Sequence, residues 1–256
     1  MYFTIAACTD VGNSKNINQD SLTVMVADTK SGQVAMAVVC DGIGGLSSGE
    51  VASAQVVLTF KKWFEESMRL LLDNSFFKEK LEEQWQRLIQ DVNCKILNES
   101  AERHLQMGTT LTAILLAEGK YHIVQTGDSR AYQLTEKIQQ LTKDQTLTER
   151  EVALGHITVE QAKADSRRHV LLQCIGANSK TEPEFLHGEI PDRAAYLLCT
   201  DGFYNRLEGQ EILKKCNYQI NSSKECMEAH LQELILCCKD RGEQDNISAI
   251  LLQTHS

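Results

Sequence analysis

The chain has 256 residues, 42% of them apolar, and a formal net charge of −9. That length and apolar share suit a folded protein with a substantial core. The acidic balance, with a pI near 5.3, leaves no basic face to displace counterions and so excludes a nucleic-acid partner held through its phosphates.

Two prolines, Pro183 and Pro191, and no Gly/Ser-rich or single-charge tract interrupt the sequence, so one domain is expected over residues 1–256. Strand-like apolar runs open the chain at 4–9, 21–26 and 34–40. Helical spacing follows in Ala52, Val56, Phe60 and Trp63, with Ser47 and Glu50 as the start signal, and again in Leu81, Trp85, Leu88, Val92 and Ile96. These stripes read as core faces of helices. Further strand runs lie at 109–116, 121–125 and 130–134, the first two separated by a short turn at Glu118 and Gly119 that suits antiparallel pairing. The polar stretch 145–168 carries two capping patterns, Thr148 with Glu151 and Thr158 with Gln161, around Gly155, and reads as a small helical flap. Runs at 170–175, 195–199 and 247–252 complete the strands. Met227, Leu231, Leu234 and Cys238 mark a late helix opened by Ser222 and Glu225. Strands, a helical pair, more strands and a last helix give an α+β layered architecture.

Nine cysteines, with no CxxC spacing and an odd total, read as reduced core residues of a cytoplasmic protein. The opening MYFTIAACTD lacks a basic leader, and no run of about 18 apolar residues occurs, so neither export nor a membrane span is expected. Seven histidines form no HExxH or clustered pattern, which argues against zinc; His122 reads as a packed or surface residue.

Aspartates recur at the ends of the apolar runs. Asp41 follows Val38, Val39 and Cys40; Asp201 follows Leu197, Leu198 and Cys199; Asp245 precedes Ile247; Asp20 precedes the run from Ser21; Asp128 follows Ile123 and Val124. Each alone reads as an Asx-turn residue. Four beside strand ends, Asp20, Asp41, Asp201 and Asp245, point to a shared cation, because carboxylates beside apolar strands need compensation for lost hydration, and Asp128 is a further acid. Oxygen donors without histidine or cysteine select Mg²⁺ or Mn²⁺. Gly42, Gly44 and Gly45 after Asp41 allow close backbone turns. A phosphate-cradling loop is the competing reading, but no Lys-Ser/Thr pair follows; a plain strand-to-helix turn is another. GDS at 127–129 invites a serine-hydrolase reading with Ser129 as nucleophile, which lacks an Asp-x-x-His partner.

Six motifs in order, VGNSKNINQD (11–20), VVCDGIGGLSSGEVAS (38–53), GTTLTAILL (108–116), GDSRAY (127–132), LLCTDG (197–202) and DNISAILL (245–252), resemble the metal-dependent PPM, or type 2C, serine/threonine protein phosphatases, especially the compact bacterial members. The resemblance spans essentially the whole chain. It implies a four-layer α-β-β-α sandwich, two antiparallel sheets flanked by helices, with two Mn²⁺ or Mg²⁺ ions at one edge. Asp41 would bridge both ions, the Gly42 carbonyl would bind one, and Asp201 and Asp245 would hold the other. Asp20 would contact the centre directly or through water, and Asp128 would serve a weaker third ion. A bridging hydroxide would attack phosphoserine or phosphothreonine without a phosphoenzyme. Phosphoprotein substrates, an opposing serine/threonine kinase and a monomeric protein are implied.

The chain departs from the family pattern at three places. Lys15 stands where relatives usually carry a phosphate-clamping arginine and cannot make the planar bidentate contact, so weaker or differently oriented phosphate binding is expected. Gln145 stands for a histidine common in the LTxDHS stretch, and Asp165 and Ser166 stand for the usual His-Pro before Arg168. The alternative function, a catalytically weak or silent member kept as a regulatory binding module, is supported by Lys15 alone, because no acid of the set is lost.

Overall fold

The computed structural model describes residues 1–30, 32–44, 48–72 and 77–255. The start signal at Ser47 and the turn residue Gly45 lie outside the described residues. The strands are β1 (Tyr2–Asp10), β2 (Ser21–Thr29), β3 (Gly32–Cys40), β4 (Gly42–Gly44), β5 (Met107–Thr109), β6 (Leu111–Ala117), β7 (Lys120–Thr126), β8 (Arg130–Leu134), β9 (Ile138–Gln140), β10 (Glu184–Glu189), β11 (Ala195–Cys199) and β12 (Ile247–His255). The helices are α1 (Gly49–Trp63), α2 (Arg69–Leu71), α3 (Phe77–Arg103), α4 (Leu147–Ala153), α5 (Val159–Ala164), α6 (Asp201–Tyr204), α7 (Gly209–Cys216) and α8 (Lys224–Asp240).

Two five-stranded sheets, ordered β1-β12-β11-β8-β9 and β10-β7-β6-β3-β2, pair their strands antiparallel throughout. Strand alternation builds three apolar layers from them. In β3, Val34, Met36, Val38 and Cys40 pack beneath α1 and α3, while Ala35, Ala37 and Val39 point the other way into the inter-sheet layer. In β12, Ile247, Ala249 and Leu251 pack beneath α8, while Ile250 and Leu252 meet the facing sheet. Because both faces of these strands are covered, their sequences are continuously apolar, and the period of two appears only in which layer each side chain joins. Phe60, Trp63 and Trp85 interlock between α1 and α3, with ring centroids 5.8 and 5.5 Å from that of Trp85. The result is the expected α-β-β-α sandwich.

Several local expectations change. The run 109–116 is broken at Thr110, which leaves β5 to pair with β4 and β6 to pair with β3. Residues 170–175 form no strand; only single bridges tie Leu171 to Thr146 and Ile175 to Thr109. The strands β4, β9 and β10 and the helices α6 and α7 had no sequence forecast. The caps of α4 and α8 each shift: Thr146 accepts from the Glu149 amide and Ser223 from the Cys226 amide. Thr158 and Gln161 do form the capping box of α5. Glu118 and Gly119 both take positive φ, 50° and 74°, the type I′ geometry that closes a two-residue antiparallel hairpin. All nine cysteines are free, but only Cys40, Cys199, Cys216 and Cys238 are fully buried and Cys94 is exposed. His122 is packed, edge-on to Phe77 and stacked over His187.

Candidate metal centre

Register brings the aspartates to one end of the sandwich. Ser21 pairs with Cys40, so Asp20 and Asp41 flank one ladder end. Cys199 pairs with both Ala249 and Arg130, which sets Asp201, Asp245 and Asp128 at the same end of the other sheet. Lys15, Asp41, Gly42, Asp128, Asp201 and Asp245 all line one cavity of about 770 Å³. Asp20 lies behind it, 9% exposed.

Each acid is placed by backbone contacts. The Asp41 amide donates to Thr110 Oγ1 at 2.8 Å. Its carbonyl accepts from the Thr109 hydroxyl and the Thr110 amide, both at 2.9 Å. A side chain at Gly42 would overlap the carbonyls of Gln19 and Gly49, so only glycine lets these segments meet. Gly202 has the same role, since a Cβ there would overlap the Asn246 carbonyl. Asn246 ties three segments together: its Oδ1 accepts from the Gln19 amide at 2.8 Å, and its Nδ2 donates to the carbonyls of Val11 and Ile17. Asp245 sits in a turn held by Glu243, whose Oε1 accepts from the Gln244 and Asp245 amides while Oε2 accepts from Arg206 Nε. Thr200 donates its hydroxyl to Asp20 Oδ2 at 3.0 Å.

The electrostatics are unfavourable for so many ionised acids. Burial pushes Asp20 up to about 7, with the charges of Asp201 and Asp245 adding to it and hydrogen bonds from Ser248 and Thr200 opposing. Burial also holds Asp41 well above the usual carboxylate range, reinforced by Asp20, Asp201, Asp128 and Asp245. Asp128 is raised by burial, then by Asp201 and Asp144. Two carboxylate oxygens, Asp20 Oδ1 and Asp201 Oδ1, are buried without a hydrogen-bond partner. Lys15 Nζ lies 3.1 Å from Asp245 Oδ1, and His169 Nδ1 lies 3.4 Å from Asp201 Oδ2.

Among the described residues, no three His, Cys, Asp or Glu side chains converge into a ready-made ligand shell. The strand ends nevertheless set Asp41, Asp128, Asp201 and Asp245 in the wall of one cavity, with Asp20 behind it. Unpartnered anionic oxygens, all-oxygen donors and mutual repulsion fit a hard divalent cation.

The serine-hydrolase reading fails on geometry. Ser129 is fully buried and its hydroxyl meets Thr110 Oγ1 at 2.8 Å, and among the described residues no histidine is hydrogen-bonded to it as base. The residues that sequence reasoning missed are Glu243, Arg206 and His169. Glu243 gave a faint signal as a second acid two positions before Asp245; the other two reach the site only through space.

Comparison with known proteins places this geometry. A family model described as Protein phosphatase 2C matches residues 12–251. The serine/threonine phosphatase stp of Listeria monocytogenes serotype 4b (strain F2365) is 32% identical over 251 residues, covering 96% of this chain and 93% of its own. Protein phosphatase PhpP of Streptococcus pneumoniae serotype 2 (strain D39) is 27% identical, covering 97% and 96%. Among solved structures, Stp1 from Staphylococcus aureus superposes with a TM-score of 0.82 at 26% identity, covering 98% of this chain and 95% of its own. The catalytic domain of the serine threonine protein phosphatase PstP, in complex with two manganese ions, superposes with a TM-score of 0.78 at 28% identity, covering 99% of each chain.

Proposed function

As the chain belongs to the protein phosphatase 2C family, we propose that it hydrolyses phosphoserine and phosphothreonine in proteins with the help of divalent cations. The single observation that carries the reading is the gathering of five aspartates at one sandwich end, with two buried oxygens unpartnered. Asp41, the Gly42 carbonyl, Asp201 and Asp245 are the groups that would hold two Mn²⁺ or Mg²⁺ ions, with Asp20 supporting from behind and Asp128 serving a weaker third. When bound, such ions lower the pKa of water to near neutrality and offset charge on the phosphoryl oxygens.

The chain's own groups do the rest. Lys15, beside Asp245 at the cavity wall, supplies a point charge for the substrate phosphate. Glu243 and Arg206 hold the Asp245 turn, and Thr200 orients Asp20. These contacts preset the donors so that little reorganisation is required when the ester arrives. No side-chain nucleophile is required, in keeping with the buried Ser129.

The segment 145–168, with α4 and α5, is read as a flap beside the cavity within a single domain. No helix among the described residues is long and apolar enough to cross a membrane, and we place the protein in the cytoplasm as a monomer opposing a serine/threonine kinase. The silent binding-module reading has only Lys15 in its favour, and every acid of the set is present.

The test is hydrolysis of p-nitrophenyl phosphate and a phosphothreonine peptide with Mn²⁺ and with chelator. A rate that requires metal is expected; folded protein without a metal-dependent rate would return the binding module, and a rate surviving chelation would refute the metal reading.

A further inference from the structure

Gln145 is one of the positions at which the chain departs from the family pattern, and its contacts fall on the turn that carries Asp128. The Gly127 amide donates to Gln145 Oε1 and the Gln145 amide donates to the Gly127 carbonyl, both at 2.9 Å. One residue thus holds both backbone polar groups of the position immediately before Asp128. The Gln145 carbonyl in turn accepts from the Leu172 amide at 2.8 Å, and Thr146 bridges Leu171, so Gln145 also stitches the base of segment 145–168.

A second hold comes from α6. Tyr204 ends the helix that Asp201 begins, and its hydroxyl donates to the Asp128 carbonyl at 3.0 Å. The Tyr204 ring is itself fixed, because the Arg130 guanidinium lies 3.6 Å over it. Arg130 makes a two-pronged contact with Asp144 at 2.9 and 2.7 Å, and Asp144 is the chain neighbour of Gln145. The contacts therefore close a ring, from Gln145 through the Asp128 turn to Tyr204, Arg130 and back to Asp144. Asp128 lines the carboxylate cavity and is only 7% exposed, so its side chain goes where this ring sets the backbone. Asp201 is placed separately, directly after β11 and with Gly202 packed on the Asn246 carbonyl.

We infer that Gln145 and Tyr204 are positioning residues for Asp128 and set the affinity of the weaker third divalent ion, apart from the pair held by Asp41, Asp201 and Asp245. The inference rests on the phosphatase reading above, in which Asp128 serves that ion. The Gln145 amide and the Tyr204 hydroxyl are neutral, so they act on the geometry of the donor and add no charge to the site. Loss of such an outer hydrogen bond costs about tenfold to a hundredfold in metal affinity.

The experiment titrates the full chain with Mn²⁺ and reads the free ion by electron paramagnetic resonance, with Asp128→Asn marking the weak class. The wild type is expected to bind a tight pair and one weaker ion, and Asp128→Asn the tight pair alone. Tyr204→Phe keeps the ring beneath Arg130, and Gln145→Met keeps the length without the carbonyl. Each should weaken the third ion about tenfold while changing the tight pair by less than about twofold. Gln145→Glu keeps an acceptor for the Gly127 amide and should bind the third ion at least as tightly as the wild type. A third-ion affinity unchanged in both Tyr204→Phe and Gln145→Met overturns the inference, as does equal weakening of every ion, the mark of general structural damage. A wild type that binds the tight pair and no third ion overturns it too and leaves the phosphatase reading standing. No Mn²⁺ bound at all would sink both together.

Discussion

Asp20→Asn should stabilise the metal-free protein, because the native fold holds Asp20 against its ionisation. A buried carboxyl whose pKa is raised from 3.8 to about 7 binds its proton more tightly folded than unfolded. Its penalty is absent below pH 3.8, grows as pH rises through the window to about 7, and is constant above that. Roughly three pKa units at about 1.36 kcal/mol each set an upper bound of about 4 kcal/mol. Reorganisation of the neighbouring carboxylates reduces this, and about 1–3 kcal/mol is the expected gain in chelator at pH 7.5. Asparagine keeps an oxygen for the Thr200 hydroxyl and offers its amide to the adjacent acids, so it introduces no new unpaired group. Urea denaturation of both proteins in chelator is the assay, with the gain falling to about 0.5 kcal/mol or less at pH 4, close to the unfolded-state value of 3.8, where little of the penalty has developed. Mn²⁺ should then raise the midpoint of the wild type more than that of the variant. A variant no more stable than wild type at pH 7.5, or a gain independent of pH, would refute the reasoning.

Gly202→Ala would drive a methyl group into the Asn246 carbonyl; a loss of about 2 kcal/mol or more is expected, and stabilisation by Mn²⁺ measured by thermal denaturation should shrink with it. Lys15→Arg should lower KM for a phosphopeptide about threefold or more by supplying a planar fork; steady-state kinetics with KM and kcat both unchanged would count against Lys15 as the phosphate contact. His122, lowered to about 4 by burial and then by His187, Lys120 and Lys78, favours the native state above pH 6.5 and loses that contribution as pH falls towards 4, because the unfolded chain takes up the proton first. Discounted for partial solvation, the loss is about 1–2 kcal/mol, and His122→Leu should show a flatter difference in urea midpoint between pH 7 and pH 5.

The elements legible in the sequence were those whose own residues decide their structure. The covered strands β3, β11 and β12 announce themselves as unbroken apolar runs, and α1 and α3 as stripes. By contrast β10, with Glu184, His187, Gly188 and Glu189, has no strand signature; pairing with β7 makes it one. The apolar run 170–175 fails in the opposite sense, since its backbone partners are Thr146 on one side and Thr109 on the other and no single strand lies alongside it. The capping shifts have a similar origin. Thr146 and Thr148 both have an acid three residues on, and burial of Thr148, whose hydroxyl meets that of Thr146, decides between them. At the site, the aspartates were readable because each stands beside the end of an apolar run. Arg206 and His169 were not, because their partners Glu243 and Asp201 come from elements distant in sequence, and Glu243, two positions before Asp245, gave only a faint signal.

The most direct test is anomalous diffraction from crystals grown with Mn²⁺. The account predicts manganese peaks among Asp41, the Gly42 carbonyl, Asp201 and Asp245, and their loss in Asp41→Asn. A folded protein with no manganese at these groups, or with the ion bound elsewhere while phosphatase activity persists, would contradict it.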